Sequence, residues 1–382
     1  MKKWIALVLA AVLALGTFVS AGAETFIKPD LDMQVKKPAS IENNPAIEGE
    51  DPFTGLPVSV DAYTPILEVF DGSEQAYPHW GLSAASVVIE VPNMSMGNNK
   101  LLGLFTYEFP SLVGGSRSAR MTALPWAMAF NSAFVSAKYG PPEDAGLDDR
   151  ITVENWLRKW GFRRSGSGDN RTFWDLLGNG DWKERTNLVP SPANLLAHLD
   201  EIHAKIAGSD NTFEKRPFLF TDEPLSRGDE ATDITLFYDN NAANCRFEYD
   251  EDEECYIRWS VQGKASNQPS INYDRNNQKT LEFNNLIVMR WKFFNANGYY
   301  YAKDNMVGGG QADIFQNGRH ITGSWYRDSE TSRVIFLDEN GDELRFQRGK
   351  TFIAYSGASC KHDSKGNDVY DKDKIYPVVS YE

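Results

Sequence analysis

Arg117 and Arg120 stand three residues apart at the end of the stretch LLGLFTYEFPSLVGGSRSAR, Leu101 to Arg120, directly behind the Gly114-Gly115 pair. On a nascent helix, residues three apart share a face. A Gly-rich turn that feeds a helix N-terminus also offers free N–H groups to an anion. The pattern therefore suits a clamp for phosphate, pyrophosphate or carboxylate, groups that the guanidinium fork matches. Ser116 and Ser118 flank Arg117 and raise the question of a nucleophile. G-G-S-R-S is not the G-x-S-x-G elbow, and the sequence places no base beside it. The two hydroxyls read as turn and cap residues, with Ser118 at the helix N-cap. The competing account of the arginines is a pair of structural salt bridges, for which the chain has ample carboxylates.

Glu90 and Glu108 close two apolar runs and would meet near one sheet edge if those strands ran parallel. They would then serve as general acid and base or, more simply, as partners of Arg117 and Arg120. Asn187 and Tyr139 complete the candidate ligand-binding set, and no residue is assigned a catalytic role. No metal or cofactor is expected. His198 and His203 are five apart, poor spacing for one metal, and neither H-E-x-x-H nor C-x-x-C occurs. The acidic clusters Asp250 to Glu254 and Asp338 to Glu343 lack EF-hand spacing and read as hairpin turns. Gly308 to Gly310 has no strand–helix context for a dinucleotide. The aromatics Trp259, Trp291, Tyr299 to Tyr301, Trp325 and Tyr326 suit either a carbohydrate-stacking platform or, by default, a β core.

The elements that must position these residues can be read from hydrophobic period. Thr64 to Phe70, Ala84 to Val91, Leu101 to Phe109 and Ala133 to Ala137 read as strands. A helix following Ser118, broken or kinked by Pro125, would complete a strand–helix–strand unit. Thr152 caps an expected helix carrying Trp156, Leu157 and Trp160, and Arg163 to Arg171 reads as a loop. Thr172 to Leu177 reads as a short helix, and Ser191 to Ala207 as a long one, with Ser at the N-cap, Pro at N1 and an apolar stripe. Phe218 to Phe220 reads as a strand. From about Thr232 the period changes to two, with Asn317-Gly318 and Asn340-Gly341 as tight hairpin turns. The segment after Gly357 reads as a polar, loosely held tail.

Composition sets outer bounds. Lys2-Lys3, the apolar run Ile5 to Val19 and Ala21-Gly22-Ala23 form a secretory signal, with cleavage near Ala23/Glu24. The formal charge of −14 includes both lysines, so the mature chain carries −16, which disfavours nucleic acid and anionic membrane surfaces. No membrane span or lipid anchor is expected. Cys245, Cys255 and Cys360 do not make a disulfide framework, since an ordinary loop puts Cys245 and Cys255 on opposite sheet faces.

Several blocks resemble one family: DPFTGLPV from Asp51, GLSAASVVIEV from Gly81, KLLGLFTYEFPSLVGGSRSAR from Lys100 and ERTNLVPSPANLLAHL from Glu184. FEYDEDEECYIRW, NNLIVMRWKFF and QADIFQNGRHITGSWYR add to it in the second half. The family is that of the YerB-type lipoproteins of Gram-positive bacteria, which have two domains and no known function. Arg117, Ser118, Ala119 and Arg120 match its R-S-A-R block position by position. Thr186 stands where the family has a histidine, Tyr139-Gly140-Pro141-Pro142 replaces its G-G-S-P loop, and the lipobox cysteine is missing.

The resulting expectation is an exported α+β protein. A signal peptide (1–23) and a flexible lead-in (24–50) precede an N-terminal α/β domain with a mixed sheet and flanking helices (51–228). A C-terminal antiparallel β domain (229–357) and a polar tail (358–382) follow. The leading functional expectation is a secreted or cell-envelope binding protein, more a binder than an enzyme. Its unknown anionic small molecule or envelope component would be held by Arg117, Arg120, Ser116, Ser118, Asn187 and Tyr139. The alternatives are an enzyme acting on phosphorylated or pyrophosphate-linked envelope precursors and a purely structural interaction module.

Overall fold

Strands that are apolar on both faces must be covered on both faces, and this chain covers them with a second sheet on one side and helices and loops on the other. The computed structural model describes residues 24–382 except 61, 96, 142–145, 165–171, 179, 210 and 262–268, and excepting the side chains of 163 and 164. The expected signal segment and most of the expected loop over 163–171 lie outside the described residues.

The frame is a 14-stranded mixed sheet. Its main strands are β1 (Ile66–Asp71), β2 (Val87–Ser95), β3 (Asn98–Phe105), β4 (Ala133–Ser136), β5 (Thr172–Asp175), β6 (Asn285–Ala296), β7 (Gly308–Gln316), β8 (Arg319–Arg327) and β9 (Thr351–His362). They lie in the order β8-β7-β6-β9-β2-β3-β1-β4-β5. β9 runs parallel to both of its neighbours, β6 and β2, so one sheet crosses both halves of the chain. β2, β3 and β1 are antiparallel in turn, and β4 is parallel to β1. The three helices among the described residues are short: α1 (Leu124–Phe130), α2 (Val153–Lys159) and α3 (Leu199–Ala207).

Alternation assigns each residue of the sheet a face. Ile66, Phe70, Val88, Leu101 and Phe105 point to one side, where a seven-stranded antiparallel sheet covers them with Phe247, Tyr256 and Val379. Leu67, Val69, Ile89, Leu102 and Ile353 point to the other side and meet Trp126 of α1. Each such side chain, fully buried, contributes about 1.5–3 kcal/mol. The chain is thus mostly β, and α+β holds in that broad sense.

Four local expectations are corrected. Thr172–Asp175 is strand, because it pairs in parallel with β4. The expected helix from Ser191 is half strand: Leu195–Ala197 pairs with Val113–Gly114 and Lys183–Arg185, and only Leu199–Ala207 is helical. Pro125 does not break α1 but lies in its first turn, where a missing N–H costs nothing. The segment after Gly357 is no loose tail, since β9 continues to His362 and Val378–Tyr381 pairs with Asp233–Phe237 inside the second sheet. Asn317 and Gly318, both left-handed (φ 50° and 67°), form the two-residue turn between β7 and β8 that their types demand. Cys245 lies opposite Ser260 and Cys255 opposite Asp250, and all three cysteines are free and buried.

Candidate functional site

The segment from Gly115 to Arg120 is extended. Asp71 N–H donates to Gly115 O (2.8 Å) and Arg117 N–H to Val69 O (2.8 Å), which lays the segment antiparallel along β1. On its other side Ala137 N–H donates to Arg117 O (2.9 Å) and Ala119 N–H to Lys138 O (3.0 Å). Helix α1 begins only at Leu124, with Ala123 at its N-cap position and no side-chain cap. The expected helix N-terminus at Ser118 is therefore corrected: the segment is extended, and the N–H groups of Ser116, Arg117 and Ala119 are taken by Leu195 O, Val69 O and Lys138 O. Glycine is required at 115 because a Cβ there would stand 2.0 Å from Ala193 O.

Being a strand, the segment sends alternate side chains to opposite faces. Ser116 lies opposite Phe70 and shares its face with Glu68. Its Oγ donates to Glu68 Oε1 at 2.5 Å, and both residues are at most 1% exposed. Burial pushes the Glu68 carboxyl up to about 8, although the Ser116 hydrogen bond works against the shift. A serine sealed in this way caps a buried acid and is out of a ligand's reach.

Arg117 points to the other face. Its Nε lies 3.1 Å from Asp71 Oδ2. The register partner of Asp71 on β3 is Lys100, only 3% exposed. No hydrogen bond or ion pair joins the Lys100 ammonium to any described residue. Arg120, half-buried, donates from Nη1 to Ala119 O (2.8 Å) and stacks its guanidinium 5.3 Å from the centre of the Tyr299 ring. Its Nε is buried without a partner. Three cations thus lie near one another, with the Asp71 carboxylate paired to Arg117 and also acting on Lys100. Burial, with Arg117 and then Arg120 adding repulsion that Asp71 only partly offsets, pulls the Lys100 ammonium down to about 7. Burial also holds Arg120 below its ordinary value, with Tyr299 opposing and Arg117 adding to the effect.

The other expected residues are not at this cluster. Glu90 lies on the opposite face of the sheet, with Ile89 and Val91 facing the cluster side. Its Oε1 accepts from Asn99 Nδ2 at 2.6 Å and its Oε2 lies 3.7 Å from Arg258 Nη2 of the second sheet. Burial raises its carboxyl, against the pull of Arg258. Glu108 is exposed, three residues past the end of β3 that is opposite to Lys100. β2 and β3 are antiparallel, so Glu90 and Glu108 neither share an edge nor partner Arg117 or Arg120. Tyr139 is buried, bridging to Ala119 by backbone and packing its ring near Phe173 (5.8 Å). Asn187 is exposed in the bend between Lys183–Arg185 and Leu195–Ala197. Ser118 is half-buried and makes no side-chain hydrogen bond among the described residues.

Two models of one family match the chain: the N-terminal domain of a protein of unknown function, DUF3048, over residues 53–210, and its C-terminal domain over residues 234–353. The chain belongs to the DUF3048 family. The crystal structure of the YerB protein from Bacillus subtilis is similar to it, with 21% identity and a TM-score of 0.65, over 86% of this chain and 99% of that one. That likeness bears on the fold of this DUF3048 member. No functionally curated protein matches it. Both Lys100 and the R-S-A-R block fall inside the N-terminal match.

Proposed function

We propose that this chain is an exported binding protein whose site accepts a phosphate-type anion between Lys100, Arg117 and Arg120. The observation that carries the reading is the largely buried Lys100 side chain, whose ammonium has no hydrogen-bond or ion-pair partner among the described residues, near two guanidinium groups and the Asp71 carboxylate. An unpaired buried charge is costly, and a doubly charged anion would offset the excess of two positive charges, which a monovalent carboxylate would not. Export is supported by the basic, apolar and small-residue pattern of residues 2–23. Binding without chemistry is preferred because Glu90 and Glu108, the acids the enzymatic alternative would use, are held elsewhere.

Titration calorimetry of the mature chain with inorganic phosphate, sulfate and acetate tests the proposal. Phosphate and sulfate should bind, acetate should not, and Arg120→Ala should weaken binding at least tenfold. Binding that survives both Arg120→Ala and Lys100→Met would place the anion somewhere else.

A further inference from the structure

Tyr299 and Tyr301 lie two residues apart on the Tyr299–Ala302 strand, which pairs antiparallel with the end of β6. Strand alternation places both rings on one face, about 7 Å apart. Each ring carries an arginine. Arg120 of the anion cluster stands 5.3 Å from Tyr299, and Arg150 stands 5.2 Å from Tyr301. Past Tyr301 opens a cavity of about 250 Å³, lined among others by Arg150, Trp156, Lys303, Asp304 and Asn305.

The cavity differs from the cluster in charge. Arg150 is paired with Asp148 (2.5 Å) and Lys303 with Asp368, so its cations are already matched. It suits a neutral body rich in hydrogen-bonding groups better than a second phosphate. Its flat faces are also occupied. Arg150 covers one side of Tyr301 while Phe294 stacks at 5.8 Å, and Lys159 lies 3.9 Å from the Trp156 ring centre. A nucleobase needs an open aromatic face, whereas a polyhydroxyl ring needs donors and acceptors around an apolar edge.

The rim is rigidly held. Asp304 (φ 47°) and Asn305 (φ 51°) are both left-handed, a conformation that persists for such residues only where the surroundings fix it. Here Arg327, fully buried, donates to Asn305 O (3.2 Å), and Asn305 Nδ2 donates to Glu330 Oε1 (2.7 Å).

We infer that the anion is the phosphate-type head of a saccharide of at least two rings, long enough to run along Tyr299–Tyr301 into this cavity. The inference rests on the anion reading above. The test is calorimetry on the mature chain with inorganic phosphate, a disaccharide 1-phosphate, the free disaccharide and a nucleoside 5′-monophosphate. The disaccharide 1-phosphate should bind at least tenfold more tightly than inorganic phosphate. Trp156→Ala and, separately, Asp304→Gly, which keeps the exposed rim backbone unstrained, should erase that advantage and leave phosphate affinity unchanged. Equal affinity for the two phosphates, a preference for the nucleotide, or an advantage that survives both substitutions overturns the saccharide assignment while the anion site stands. Failure of phosphate itself to bind overturns both.

Discussion

Asp71 faces Lys100 across neighbouring antiparallel strands but gives its ion pair to Arg117, leaving the lysine with no ion pair of its own among the described residues. If the proposed anion binds there, the protonation of this ammonium should respond to it, because it depends on the local field.

Sulfate does not titrate near neutrality, so its binding isolates that dependence. With the Lys100 ammonium near 7 in the free protein, affinity should rise as pH falls from 8.5 to 6, by about tenfold or more if the bound anion restores an ordinary lysine. Lys100→Met should weaken binding and flatten the profile. An unchanged slope in that variant would assign the proton to another group.

Lys100 also acts on stability, with the sign set by its lowered value. The unfolded chain holds more protons than the folded one between about 7 and the ordinary lysine range, so this residue's contribution to stability rises with pH across that window. Thermal melts of Lys100→Met should lose this rise relative to the parent.

Glu68 acts in the opposite sense. Its folded value near 8 exceeds the ordinary carboxyl value. The folded chain therefore holds an extra proton between about 4.5 and 8. The stabilisation is complete below that window and is lost as pH climbs through it, by on the order of a few kcal/mol. Glu68→Gln should melt above the parent at pH 9 and near it at pH 5.

The backbone at Gly115 makes a close contact and is not a flexible joint. Gly115→Ala would drive a methyl against Ala193 O and should cost about 1–3 kcal/mol, seen as a lower melting temperature together with loss of sulfate binding. A variant that melts like the parent would show that the turn carrying Ala193 moves freely.

Glu90→Gln tests the link between the two sheets. The substitution leaves Arg258 buried opposite an amide, and breaking such a pair costs about 3–5 kcal/mol. Sulfate affinity should be unchanged, because Glu90 faces away from the cluster.

The apolar runs made β1 to β4 and the Asn-Gly hairpin readable, since burial on two faces leaves a continuous signature. The R-S-A-R segment was found for its arginines but misjudged as helical: its conformation is set by pairing with β1, forty-odd positions earlier in the chain. The same long-range pairing turned Leu195 to Ala197 into strand although their stripe fits a helix. Lys100 and Glu68 were missed for a related reason. One looks like a solvated residue at a strand start and the other like a polar interruption in an apolar run. Only the register of β1 with β3, and of β1 with residues 115–117, gives them neighbours.

β9 carries one further meaning. It is supplied by the second half of the chain and lies between β6, from that same half, and β2, from the first. Cut the polypeptide between the two family modules, and the N-terminal piece is left with the bare edge of β2 while its partner keeps an unmatched β9. The halves are two words of one sentence: expressed apart they should aggregate, and mixed together they should find each other by completing that strand pair.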